Sequence, residues 1–356
     1  MNPTFLNIQE YTSFKLKKVV MNLYSNKPLQ YFQKHQNHIT CLICQHFCEL
    51  KENELGKCAN QKNINSELIG VTKDKPSAIS IDYIENRPFL HFMPGSSVLC
   101  IGTVGCNMHC PSCQNHQISQ HFSHVEPLAL SPIEIVKLAL EQNIKIISFG
   151  YNEPIIYYPY AKEIGLIARD KGIKCVMQTS GYMSEQIAYD MSSWLDAVHV
   201  DLKSYNASYY KNILGAELPA IKENLKILAH NSVWLELTTL VIDGINDSDE
   251  ELEAMAYFID EELGSHIPWH LSAFEPDNLM KNQPSTSTQS LLNAYEIAKK
   301  QGLYHVYFGN VPFLNETNCP SCNALLLQRR NEEIFENHIW EGSCPNCSRA
   351  IEGVWK

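Results

Sequence analysis

From about residue 76 to residue 313, short apolar runs alternate strictly with helix-patterned stretches, and no other feature limits the fold so sharply. The runs "SVLCIGTVG", "KIISFGYNEP", "IKCVMQTSGY", "AVHVDLKSYN", "VWLELTTLVIDG", "PWHLSAFEP" and "YHVYFGN" read as buried strands. Between them, "SPIEIVKLALEQ", "IIYYPYAKEIGLIARDKG", "MSEQIAYDMSS", "LPAIKENLKILAH", "DSDEELEAMAYFIDEEL" and "STQSLLNAYEIAKKQG" read as helices. Ser131, Pro132 and Glu134 supply the N-cap, N1 and N3 chemistry of the first helix. Alternation of this kind implies βαβ crossovers and a parallel sheet. It predicts an α/β fold, a full or partial (β/α) TIM-type barrel rather than a doubly wound open sheet. Closure of the barrel is left open by the sequence.

The strands carry polar clusters at their ends: Cys106 onward, "YNEP", "TSGY", "DLK", "TT" and "HLSAF". In a (β/α) barrel the C-terminal strand ends converge on one mouth, where active sites lie. The cluster after the first strand is "GCNMHCPSCQN", with Cys106, Cys110 and Cys113 at C-x3-C-x2-C spacing. Three thiolates leave one iron of a cubane [4Fe-4S] cluster without a protein ligand, open to a small molecule. A zinc ion with His109, His116 or water as fourth ligand satisfies the same spacing.

All but two of the 13 cysteines fall in three groups: 41/44/48/58, 106/110/113 and 319/322/344/347. In a reducing compartment such clusters read as metal ligands rather than disulfides. Cys100 and Cys175 stand alone in apolar runs and read as buried strand residues. The groups divide the chain into a Cys-rich metal-binding region (residues 1–75), the barrel (76–313) and a short tail (314–356). The formal net charge of -11 disfavours nucleic acid and anionic membranes as partners. No run reaches the length of a membrane span, and the leading segment lacks the apolar core of a signal peptide, so a cytoplasmic location is expected.

The segments "HFMPGSSVLCIGTVGCNMHCPSCQNHQIS", "FGYNEP", "TSGY", "VDLKSYN", "LTTLVIDGINDSDEEL", "PWHLSAFEPD" and "VYFGNV" carry a family resemblance. The C-x3-C-x2-C loop after the first barrel strand resembles the radical S-adenosylmethionine (SAM) superfamily. The order of the motifs, with "CLICQHFCELKENELGKC" in front and "NCPSCNALLLQRR…GSCPNC" behind, resembles the radical SAM enzyme of the AmmeMemoRadiSam system. The pyruvate formate-lyase activating enzyme is more distantly similar. The resemblance implies a [4Fe-4S] cluster on Cys106, Cys110 and Cys113 that reductively cleaves SAM to methionine and a 5'-deoxyadenosyl radical. That radical takes a hydrogen atom from an unidentified substrate, and the protein barrel orients the reacting groups. Glu153 stands where the superfamily places an acidic residue after the second strand, suited to the SAM ammonium, with Asn152 in support. Ser180 and Gly181 end the third strand, and Gly181 would allow a close backbone approach to the cofactor. Asp201 and Lys203 match the "DLK" of the activating enzymes, and His270 and Ser272 share their two-residue spacing, so each pair faces one side of its strand. Ser112 departs from the pattern, since the residue before the third cysteine is often aromatic there. The resemblance also implies an electron donor and, as partner, a Memo-like protein of the same system or a protein substrate carrying a glycyl radical.

Each residue also has a structural reading. Glu153, ahead of a proline, can cap a helix start; Asp201 and Lys203 can be an ion pair; His270 can be a core histidine. Tyr151 and Tyr182 read as packing. In the tail, Cys319, Cys322, Cys344 and Cys347 form two C-x2-C knuckles, a zinc-ribbon-like site. Cys41, Cys44, Cys48 and Cys58 fit no simple zinc module and suit either zinc or a second iron–sulfur cluster, with His46 able to replace a thiol. Two competing readings of the whole chain are a zinc-ribbon interaction module without catalysis and an electron-transfer iron–sulfur protein. The strand-end clusters argue against the first, and the central group's three thiols, where such a protein supplies four to each cluster, against the second.

Overall fold

The computed structural model describes residues 30–123, 127–331 and 333–356. The leading segment, and with it the reading about a signal peptide, lies outside the described residues.

The centre is one eight-stranded sheet built from β6 (Ala78–Tyr83), β7 (Ser97–Gly102), β8 (Ile146–Phe149), β9 (Lys174–Thr179), β10 (Ala197–Asp201), β11 (Trp234–Val241), β12 (Trp269–Ala273) and β13 (Val306–Gly309). The strands lie side by side in chain order. β7 to β13 are mutually parallel, and β6 is added antiparallel along β7. β6 and β13 are the two edges, so the barrel is partial. All seven sequence-predicted strands are present and parallel. They were legible because strands covered on both faces become continuous apolar runs; Ile146, Ile147, Ser148 and Phe149 of β8, for example, are all buried.

Helices α1 (Pro132–Glu141), α2 (Tyr158–Asp170), α3 (Glu185–Met191), α4 (Leu218–Ala229), α5 (Asp249–Phe258) and α6 (Thr288–Gln301) make the crossovers. The Glu134 carboxylate accepts the Ser131 backbone N–H at 2.8 Å, the expected closure of the α1 start.

In front of the sheet lie β1 (Phe32–Lys34), β2 (Ile39–Cys41) and β3 (Glu49–Leu50) in one small antiparallel sheet, and β4 (Gln61–Ile64) with β5 (Glu67–Gly70) in a hairpin. Their buried Ile39, Ile43 and Leu50 belong to the same apolar cluster as the barrel core. The tail forms a third antiparallel sheet of β14 (Asn315–Asn318), β15 (Leu325–Arg330) and β16 (Glu333–Asn337). It has its own small cluster of Cys319, Leu326, Cys344 and Ile351. Among the described residues, no helix is long and apolar enough to cross a membrane.

Candidate active site

β7 stops at Gly102, and the loop that follows carries the three central cysteines. Asn152, just beyond β8, fastens the root of this loop. Its Oδ1 accepts the Thr103 N–H at 2.9 Å, and its Nδ2 donates to Thr103 Oγ1 at 3.2 Å and to the Gly105 carbonyl at 2.9 Å. Gly105 has φ +95, and a Cβ there would collide with the Cys58 carbonyl oxygen, so only glycine fits.

The loop opens onto a cavity of about 600 Å³ at the C-terminal ends of the strands. Cys106, Cys110, Cys113, Asn152, Glu153, Ser180, Asp201, Lys203, His270 and Ser272 all line it, although they come from five different strand ends or loops. Parallel pairing in sequential order brings them together, since each strand delivers its C-terminal end to the same rim. Ser112 and Tyr151 line it as well. The three thiols do not crowd as the ligands of one ion would. Among the described residues, only the tail group has three or more ligand atoms all within 4.8 Å of one another. Neither His109 nor His116 lines the cavity. The spread suits a cluster with one iron per thiolate better than a single zinc. Burial, reinforced by the nearby Glu153 carboxylate, pushes the Cys106 thiol well above its usual range, so a deprotonated Cys106 calls for a cation beside it.

The Glu153 carboxylate is buried and held by three donors: Ile155 N–H at 3.1 Å, Thr179 Oγ1 at 2.6 Å and Ser180 N–H at 2.8 Å. It caps the 3-10 turn Pro154–Tyr157 while remaining on the cavity wall. Its capping and site readings therefore hold together. Asp201 and Lys203 form an ion pair at 3.0 Å and also face the cavity. Burial works to lower the Lys203 pKa, but the Asp201 carboxylate and the Cys110 sulfur outweigh it and hold the ammonium charged.

One partner was missed in the sequence. His270 Nε2 lies 2.8 Å from Glu236 Oε2, on the neighbouring strand β11. Glu236 is fully buried and also accepts Leu90 N–H and His91 N–H, each at 2.9 Å, and Trp234 Nε1–H at 2.9 Å. Burial alone would raise its pKa; the His270 hydrogen bond and the other donors bring it below the usual carboxylate range. The available signal was a lone carboxylate in the otherwise apolar "VWLELTTLV". Arg87 and Glu85, from the segment after β6, line the cavity too and were likewise not singled out.

Gly181 is placed elsewhere. It does not line the cavity, and a Cβ at its φ of +76 would sit 3.0 Å from Val200 and 3.4 Å from Ile221, so the glycine serves the turn and its packing. Tyr182 is packing, edge-on to His46 at 5.1 Å between ring centroids.

The tail thiols converge. Cys319 Sγ and Cys347 Sγ are 3.6 Å apart, and Cys322 Sγ and Cys344 Sγ 3.7 Å. Four thiolates at ~2.3 Å from one zinc would be separated by about 3.8 Å, so this group can hold a metal ion. The front thiols Cys41, Cys44 and Cys58 are buried and Cys48 is partly so.

The Radical SAM superfamily pattern matches residues 100–258, which hold the cysteine loop, Glu153 and the Asp201–Lys203 pair. An uncharacterised protein of Methanocaldococcus jannaschii is 35% identical over 329 residues, covering 91% of this chain and 98% of that protein. The 4-hydroxyphenylacetate decarboxylase activating enzyme of Clostridioides difficile is 28% identical over 116 residues, 32% of this chain and 36% of that enzyme. Among solved structures, a radical SAM methyltransferase from Sphaerobacter thermophilus is similar at a TM-score of 0.47, with 15% identity, over 83% of this chain and 82% of that one. With the pattern spanning the cysteine loop and a relative matched over nearly its whole length, the chain belongs to the radical SAM superfamily of enzymes.

Proposed function

We propose that the chain is a hydrogen-abstracting radical SAM enzyme whose [4Fe-4S] cluster sits on Cys106, Cys110 and Cys113. The observation that carries this reading is the meeting of these three thiols with a carboxylate and an ion pair on one cavity wall. Bound there, the cluster supplies one electron that splits SAM into methionine and a 5'-deoxyadenosyl radical. The chain's own groups bind and orient. Glu153, fixed by three donors, offers its outer lone pairs to the SAM ammonium. Asn152 holds the loop in register. Lys203 offers a charged donor to a carboxylate, and Asp201 and the Ser180 and Ser272 hydroxyls offer further polar contacts. Glu236 fixes the His270 ring at the inner end of the cavity.

Similarity to an activating enzyme supports a protein substrate on which a glycyl radical is made. The motif order supports membership of the AmmeMemoRadiSam system, with a Memo-like partner. The tail thiols are proposed to hold a structural zinc, and an intracellular reductant to supply the electron.

The test is anaerobic reconstitution, reduction with dithionite and quantification of 5'-deoxyadenosine formed from SAM. The wild type is expected to make it, and the Cys106→Ala/Cys110→Ala/Cys113→Ala protein to make none. A wild type that binds only zinc and leaves SAM intact would sink the reading.

A further inference from the structure

Cys41 ends β2, Cys44 and Cys48 follow in the next loop, and Cys58 lies between β3 and β4. These four thiols face one pocket, walled also by Gly56, Gln61 and Ile156 and separate from the main cavity. A Cβ on Gly56 would stand 3.8 Å from Cys48 Sγ and 3.9 Å from Cys58 Sγ, so both thiols lie beside this glycine. The backbone has gathered four thiols around one space, as a metal site requires.

The spacing tells which metal. The tail group of the same molecule shows what a single-ion site looks like, with Sγ pairs at 3.6 Å and 3.7 Å. No three of the front ligand atoms lie within 4.8 Å of one another, because among the described residues the tail group alone meets that condition. One ion could bind three such thiolates only after their side chains had moved closer together. A cubane gives each thiolate its own iron and so takes sulfurs that are farther apart. His46, the nitrogen alternative, has its Nε2 engaged on the Asn107 carbonyl at 2.7 Å.

We propose that Cys41, Cys44, Cys48 and Cys58 hold a second iron–sulfur cluster of the [4Fe-4S] class, fully ligated by protein and seated against the back of the Cys106 loop. The seating is direct. Gly105 abuts the Cys58 carbonyl, and His46 is bonded to Asn107, the residue after Cys106. Asn107 in turn donates to the Tyr182 carbonyl at 2.9 Å. The thiol geometry of the front pocket stands by itself, and only the identity of its neighbour rests on the proposed function.

The experiment is metal and sulfide analysis with ⁵⁷Fe Mössbauer spectroscopy on the full chain, purified anaerobically. The wild type is expected to carry about eight irons, the Cys106→Ala/Cys110→Ala/Cys113→Ala protein about four, with sulfide to match and a [4Fe-4S]²⁺ spectrum. Adding Cys41→Ser and Cys44→Ser to that protein should remove the remaining iron. Should this last variant fail to fold, the triple variant decides alone, since its front group is untouched. About two zinc ions and no iron in the triple variant would overturn the proposal. A triple variant that keeps iron while the wild type leaves SAM uncleaved would sustain the front cluster and reject the radical SAM reading instead.

Discussion

At the scale of single residues, two positions join the chain's local conformation to the site. Gly105 must adopt a left-handed angle and has the front segment's backbone against its Cα. Gly105→Ala therefore meets a disfavoured φ and an immovable carbonyl together. The expected loss is roughly 3 kcal/mol or more in urea unfolding, with iron retained poorly at the Cys106 loop; a loss under ~1 kcal/mol would show that the two segments separate freely. Glu236 is the second. It satisfies four donors inside the barrel, so Glu236→Ala leaves His270 and two backbone N–H groups buried without an acceptor. The expected cost is about 3–5 kcal/mol, as for breaking a buried pair from one side. Glu236→Gln keeps an acceptor oxygen and should cost clearly less. Equal losses for the two variants would mean that side-chain volume rather than hydrogen bonding holds this part of the core.

At the scale of elements, the tail is tied to the barrel rather than merely appended. Phe92 bridges to Val354, the Met93 N–H donates to the Val354 carbonyl, and His91 Nδ1 lies 2.7 Å from the Glu352 carbonyl. From β15, Arg329 is fully buried with Glu85 3.9 Å away. A metal ion on the four tail thiols would hold the loops that flank these contacts. A structural zinc is worth ~10 kcal/mol or more to a small module, against the ~1.4 kcal/mol that changes a population tenfold. Cys319→Ser/Cys322→Ser should thus release the tail. Limited proteolysis past residue 313 is expected to quicken by far more than about tenfold, while the far-ultraviolet signal of the central helices persists. Unchanged proteolysis would show that Arg329 and the Val354 bridge suffice. What the sequence disclosed about these elements follows from burial. The seven parallel strands are apolar on both faces and announced themselves. β6, "AISIDY", is a half-exposed edge strand with mixed polarity and gave no run to notice. β3 has two residues and β2 three, too short for any period, and their place depends on the cysteine pocket and the barrel core. In the site, side chains at strand ends were legible because barrel topology sends every such end to one rim. Glu236 was not, because its partners Leu90, His91 and His270 lie far away in sequence.

At the scale of the whole molecule, buried histidines set a limit on the acid side. His91, His199 and His305 are buried in and under the sheet, and burial is the main force lowering the pKa of each. Neighbouring imidazoles add to this for His91 and His199. In the unfolded chain the same side chains titrate near ~6.5. Below that pH the unfolded chain binds protons that the folded one does not, so folding stability increases with pH until the unfolded histidines are neutral. The contribution is complete above about pH 6.5 and is lost as the pH falls below it. Glu236 and Glu352, both held below the usual carboxylate range, do not blur this window, whereas burial raises Glu85 toward it. Glu352, beside His305 and paired with Arg349 at 2.9 Å, is held down at about 2 and keeps its charge throughout. Thiolate–metal bonds are also acid-labile, so the measurement needs both quantities. Urea midpoints between pH 8 and pH 5 should stay level down to about 6.5 and then fall, before released iron or zinc is detected. A midpoint that moves only when metal is released would place the acid limit in the three cysteine groups and not in the histidine core.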